Sequence, residues 1–111
     1  MNNDWIKEFP GAVTICDIDG KIIYMNDKSA SVFKEDGGLQ LIGGNLFDCH
    51  SDVSNRIIRE LISDKKINVY TIEKNGTKKM IYQSPWFENG EMKGLVELSF
   101  EIPFEMPHHK R

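Results

Sequence analysis

The chain reads as an α+β domain, an antiparallel sheet with its helices on one face. Three observations predict this. The pairs Asp19-Gly20, Asn75-Gly76 and Asn89-Gly90 each separate two β-rich runs, the strongest short-range hairpin signal. Helical periodicity is concentrated between the first hairpin and the last two, above all in Ser51 to Asp64. Five strands with helices inserted between the second and third then require an antiparallel sheet covered on one face.

In chain order, Asp4 to Phe9 puts Trp5, Ile6 and Phe9 on one face of a short helix, which Pro10-Gly11 stops. Ala12 to Ile18 and Lys21 to Met25 flank Asp19-Gly20 as the first hairpin. Asn26 and Asp27 directly precede Lys28 to Phe33, where a short polar side chain caps the exposed amides of a helix's first turn. Glycines 37, 38, 43 and 44 predict an irregular loop with at most one helical turn, anchored by Leu39, Leu41 and Ile42. Ser51 to Asp64 is the longest helix, capped by Ser51 or Asp52. Its Val53, Ile57, Ile58, Leu61 and Ile62 form the stripe expected to pack on the sheet. Ile67 to Lys74, Thr77 to Phe87 and Glu91 to Ile102 follow as a three-stranded meander. In the last strand Val96, Leu98, Phe100 and Ile102 alternate with Glu97, Ser99 and Glu101, so one face should be dry and the other wet.

Composition bounds the function. At 111 residues and 40% hydrophobic content, one domain can bury roughly two thirds of its unfolded surface without disulfides or a structural metal. Residues 1–10 read as an N-terminal helical cap, 11–102 as the domain and 103–111 as a tail. A net charge of -3, from 14 basic and 17 acidic residues interspersed along the chain, leaves no basic stripe for nucleic acid. No apolar run reaches the roughly 18 residues of a membrane span, and the N-terminus lacks the pattern of a signal peptide, so a cytoplasmic location is expected. Two cysteines, Cys16 and Cys49, are too few for a disulfide framework, and a reducing compartment would keep both as thiols.

The segment GAVTICDIDGKIIYMNDKSASVF resembles the opening of PAS domains: a hairpin closed by Asp-Gly, then an Asn at the end of the second strand leading into a short helix, with Asn26 at the family's recurrent Asn. The closing KNGTKKMIYQSPWFENGEMKGLVELSF resembles the three-stranded PAS ending, so the likeness runs from about Trp5 to Ile102. Within the family, GGNLFDCHSDVSNRIIRELIS is most similar to PAS modules attached to bacterial hemerythrin-like proteins, where a Cys-His pair similarly precedes the long helix. The resemblance implies sheet order 2-1-5-4-3 and a cavity between the inner sheet face and the helices. It implies a sensory module that binds haem, flavin, a small metabolite or nothing, and that signals through the outer face of the sheet to an output protein.

Function must then be argued from the lining, because fold alone does not fix a ligand. The candidate lining is Asn26, Leu46, Phe47, Cys49, His50, Ile57 and Leu61, with Leu46 to Val53 as a gate that the glycine-rich loop lets shift. Cys49 or His50 would be an axial ligand if the cavity held haem; the bland alternative makes His50 a polar loop residue and Cys49 core. No other metal site is expected, since His108 and His109 lack a third ligand. A flavin photoadduct is disfavoured, because Asn45 is followed by Leu46, where the light-sensing PAS subfamily places its reactive Cys.

Tyr82 and Trp86 share one strand face, which Met80 extends; if that face points outward it forms an apolar patch that Trp5, Ile6 and Phe9 can cover, within one subunit or across a homodimer. An enzyme is not expected, because the candidate inner stripes offer Cys16, Cys49, His50 and little else that titrates. The alternatives are a ligand-free dimerisation module and, behind it, a small enzyme of cone-like α+β architecture.

Overall fold

A computed structural model describes residues 4–49 and 51–111, excepting the side chains of Asp4 and Cys49. Both Asn-Gly turns form as the dipeptides dictate. Asn75 and Asn89 sit at φ 53°, followed by Gly76 at 76° and Gly90 at 79°, the pair of left-handed residues whose twist suits a two-residue hairpin. They join β3 (Asn68–Lys74), β4 (Thr77–Glu88) and β5 (Glu91–Ile102) into an antiparallel meander. The first hairpin, β1 (Ala12–Asp17) with β2 (Ile22–Met25), closes through a longer loop than Asp19-Gly20 alone suggests. Asp17 explains the extra length: its Oδ1 accepts the backbone N–H groups of Asp19 and Lys21, each at 2.9 Å, so the turn begins two residues earlier.

The five strands form one sheet of order β2-β1-β5-β4-β3, with β1 and β5 pairing from Ala12 opposite Ser99 to Asp17 opposite Gly94. Gly94 is required at that crossing. A Cβ there would collide with the Cys16 carbonyl oxygen, which also accepts the Trp86 indole N–H at 3.0 Å. The edge strand β3 is poorly covered, and Val69 to Lys74 are all exposed.

Three helices accompany the sheet: α1 (Asp4–Lys7), α2 (Asp27–Val32) and α3 (Asp52–Asp64). Asn26 caps α2, accepting the Ser29 N–H at 3.0 Å, and Ser51 caps α3 in the same way from Ser54. The glycine-rich segment is more helical than its composition predicts, with short 3-10 turns at Lys34–Asp36, Gly38–Leu41 and Leu46–Cys49. Gly37 and Gly38 supply the positive φ angles, 123° and 57°, that reverse the chain between the first two turns.

The stripe on α3 is rotated from its expected position. Asn55, Ile58 and Leu61 are buried, whereas Val53 and Ile57 are 61% and 42% exposed. The Asn55 side chain causes this by turning inward to donate to the Phe47 carbonyl at 2.8 Å. The core beneath α3 comprises Cys16, Ile58, Leu61, Met92 and Leu95, with Leu46, Phe47 and Ile62 packed against it.

Candidate functional site

Register places the two faces of the sheet unambiguously. Thr14 lies opposite Glu97, Glu97 opposite Gln83, and Gln83 opposite Asn68, so these four residues form a row across β1, β5, β4 and β3 on one face. That face looks toward the helices, because Thr14 Oγ1 hydrogen-bonds Ser29 Oγ on α2 at 2.5 Å. The row is linked from one side: Asn68 Nδ2 donates to Gln83 Oε1 at 2.9 Å, and Gln83 Nε2 donates to Glu97 Oε2 at 2.8 Å. The wet face of β5 is therefore the inner one, and the dry face points away from the helices.

Above the row lies a partly open cavity of about 150 Å³. Phe33, Leu41, Leu46 and Ile58 roof it; Thr14, Cys16, Gln83, Leu95 and Glu97 line the sheet side; Ile22, Asp36 and Val96 complete the wall. It continues into a wider groove of about 520 Å³ between α2, α3 and the exposed β3, where Ile57, Tyr70, Ile72, Lys74 and Lys79 take over. Burial pushes the Cys16 thiol above its ordinary pKa, so the thiol stays neutral at physiological pH. Burial, and secondarily the Glu97 charge, likewise push the Tyr70 phenol up.

The residues expected to line the cavity divide. Leu46 does so directly, Ile57 lines the groove, and Leu61 lies in the core beneath α3. Phe47 closes over Gly20, its ring held from outside by the Arg59 guanidinium 4.4 Å from the centroid. The Cys49 side chain and His50 lie outside the described residues. Asn26 does not reach the cavity. It is 1% exposed, and its side chain serves backbone alone: Oδ1 accepts the Val13 and Ser29 N–H groups, and Nδ2 donates to the carbonyls of Ile6, Gly11 and, at 3.5 Å, Phe9.

The segment offered as a gate is tied down at its start. Ile22 N–H donates to the Gly44 carbonyl, Gly43 N–H to the Ile22 carbonyl and Leu46 N–H to the Gly20 carbonyl, while Asn45 Nδ2 donates to the Asp19 carbonyl. Glycine freedom at 43 and 44 is thereby consumed in pairing with the β1–β2 loop. The polar row was missed because Asn68, Gln83 and Glu97 are far apart in sequence and look like ordinary solvent-face residues. Strand alternation combined with the sheet order was the signal that could have found them.

The outer face carries Met80, Tyr82, Leu98, Phe100 and Ile102, all half-buried. Phe9 meets Phe100 edge-to-face with centroids 6.0 Å apart, and Trp5 meets Phe9 in the same manner. Trp5 itself is 67% exposed, and Trp86 is half-buried. Lys7 pairs with Asp27 at 3.2 Å on the surface. Among the described residues no group of three or more His, Cys, Asp or Glu side chains converges as a metal site. No described helix is long and apolar enough to cross a membrane.

No family model matches the chain, and no curated protein matches it by sequence. Solved structures do. The C-terminal domain of a Streptococcus mutans protein superposes with a TM-score of 0.70 at 18% identity, covering 86% of this chain and 78% of that one. The PAS domain of a Colwellia psychrerythraea protein gives 0.64 at 18% identity, over 89% and 92% of the two chains. The Aer2 receptor of Vibrio cholerae, described as a dual PAS-heme oxygen sensor, gives 0.62 at 14% identity, over 84% and 95%.

Proposed function

The chain has the PAS fold, and we propose that it is a sensory module. It binds a small molecule in the cavity between α3 and the sheet, and it signals through protein contacts made by the outer sheet face. The carrying observation is the largely apolar-walled cavity with a linked polar row on its sheet side, the arrangement of a ligand site. Catalysis is not part of the proposal. The described lining holds Glu97 and Asp36 as charged groups and a neutral Cys16 thiol, but no oriented nucleophile and base.

Haem does not fit the residues described. A cavity of about 150 Å³ holds a benzene-sized molecule, far smaller than a tetrapyrrole. The wider groove is lined by no described His, Cys or Met, and its Tyr70 has a phenol pKa raised away from the phenolate that iron would need. The partner proposal is a homodimer across the outer face, with α1 at its border and an unidentified output protein beyond, in the cytoplasm. Protein purified from its native host should carry a retained small molecule in its mass spectrum and show no Soret band. A chain bare of any ligand would leave the ligand-free interaction module as the better reading.

A further inference from the structure

The polar row has a direction, and the direction selects a ligand. Asn68 donates to Gln83 and Gln83 donates to Glu97, so both amides turn their N–H groups toward the carboxylate. The carboxylate is the terminal acceptor. Its Oε2 takes the Gln83 bond, and its Oε1 has no hydrogen-bond partner among the described residues. Among the described residues, Glu97 and the exposed Asp36 are the charged side chains lining the cavity, and Lys74 and Lys79 join Glu97 only in the wider groove. Glu97 is half-buried, and a cation seated beside its carboxylate gains a charge-assisted hydrogen bond that a neutral ligand does not.

Resting on the ligand-binding reading above, we infer that the cavity selects a small organic cation: an amine or protonated nitrogen heterocycle of about one ring, whose N–H group Glu97 accepts and whose apolar body lies against Leu46, Ile58 and Leu95. The volume of about 150 Å³ sets the ring-sized limit. The two acids disfavour carboxylates and phosphates by like charge, and an apolar isostere without the N–H forgoes the charge-assisted hydrogen bond.

Three matched probes separate the possibilities: benzylammonium, benzyl alcohol and benzoate, titrated into isotope-labelled protein and followed by amide and methyl shifts. Benzylammonium should bind at least about tenfold more tightly than benzyl alcohol, the equivalent of one charge-assisted hydrogen bond, and benzoate most weakly. Glu97→Gln keeps the size of the side chain and should erase most of the preference; Asp36→Asn, at the wall, should reduce it less. Benzyl alcohol or benzoate binding the wild type as tightly as benzylammonium would overturn the inference while leaving the ligand-binding reading intact. A preference that survives Glu97→Gln would also overturn it. Failure of all three probes to shift cavity resonances would instead sink the ligand-binding reading, and the inference with it.

Discussion

Asn26 is the residue on which three segments converge. Its amide joins the end of α1, the start of β1 and the first turn of α2, all through backbone groups. Asn26→Asp preserves an acceptor for the Val13 and Ser29 N–H groups but sets a carboxylate oxygen against the Ile6 and Gly11 carbonyls. It should cost about 3 kcal/mol in urea denaturation and erase the Phe9 to Phe100 ring contact in NOE spectra. A loss below about 1 kcal/mol would mean that α1 is held by its aromatic contacts alone. Cys16 yields a pH dependence. Burial holds its proton more tightly in the folded chain than in the unfolded one, so stability should be level below the ordinary thiol pKa of about 8.5 and decline as pH rises beyond it. Urea midpoints between pH 7 and 10, compared with a Cys16→Ala variant that lacks the titrating group, test this. Equal alkaline slopes in the two proteins would contradict it.

The elements show what the sequence made legible. Both Asn-Gly hairpins, the Ser51 cap and the extent of β5 follow from local chemistry, because each depends on residues within one turn of one another. Failures came where a distant partner decides. Asn55 reaches the Phe47 carbonyl and rotates α3, which apolar periodicity cannot foresee. Ile58→Ala should therefore cost about 2–5 kcal/mol, whereas Val53→Ala should stay within about 0.5 kcal/mol. Comparable losses by thermal melting would restore the original stripe. At α1 the aromatic row of Trp5, Phe9 and Phe100 borders the outer sheet face, and a helix this short is marginal without packing. Deleting residues 1–9 should lower the mass of the protein in light scattering from dimer toward monomer. Full-length and truncated chains that are both monomers would make α1 a local lid.

At the scale of the whole molecule, the second half of β5 is reversed from the simplest expectation: Glu97 and Ser99 lie on the helix side, and Leu98, Phe100 and Ile102 face away. Alternation in Val96 to Ile102 is plain in the sequence, but which side it faces is not, because the helix side is marked by the Thr14 contact with Ser29 of α2, distant in sequence from β5. The two faces then take different work, the inner one a ligand and the outer one a partner. A single methyl NMR experiment tests this division, with spectra recorded under xenon pressure, which probes a cavity without regard to ligand charge, and again on dilution. Xenon should shift Leu46, Ile58 and Leu95, and dilution should shift Met80, Leu98 and Ile102. Silence of the first set under xenon, or of the second on dilution, would contradict it.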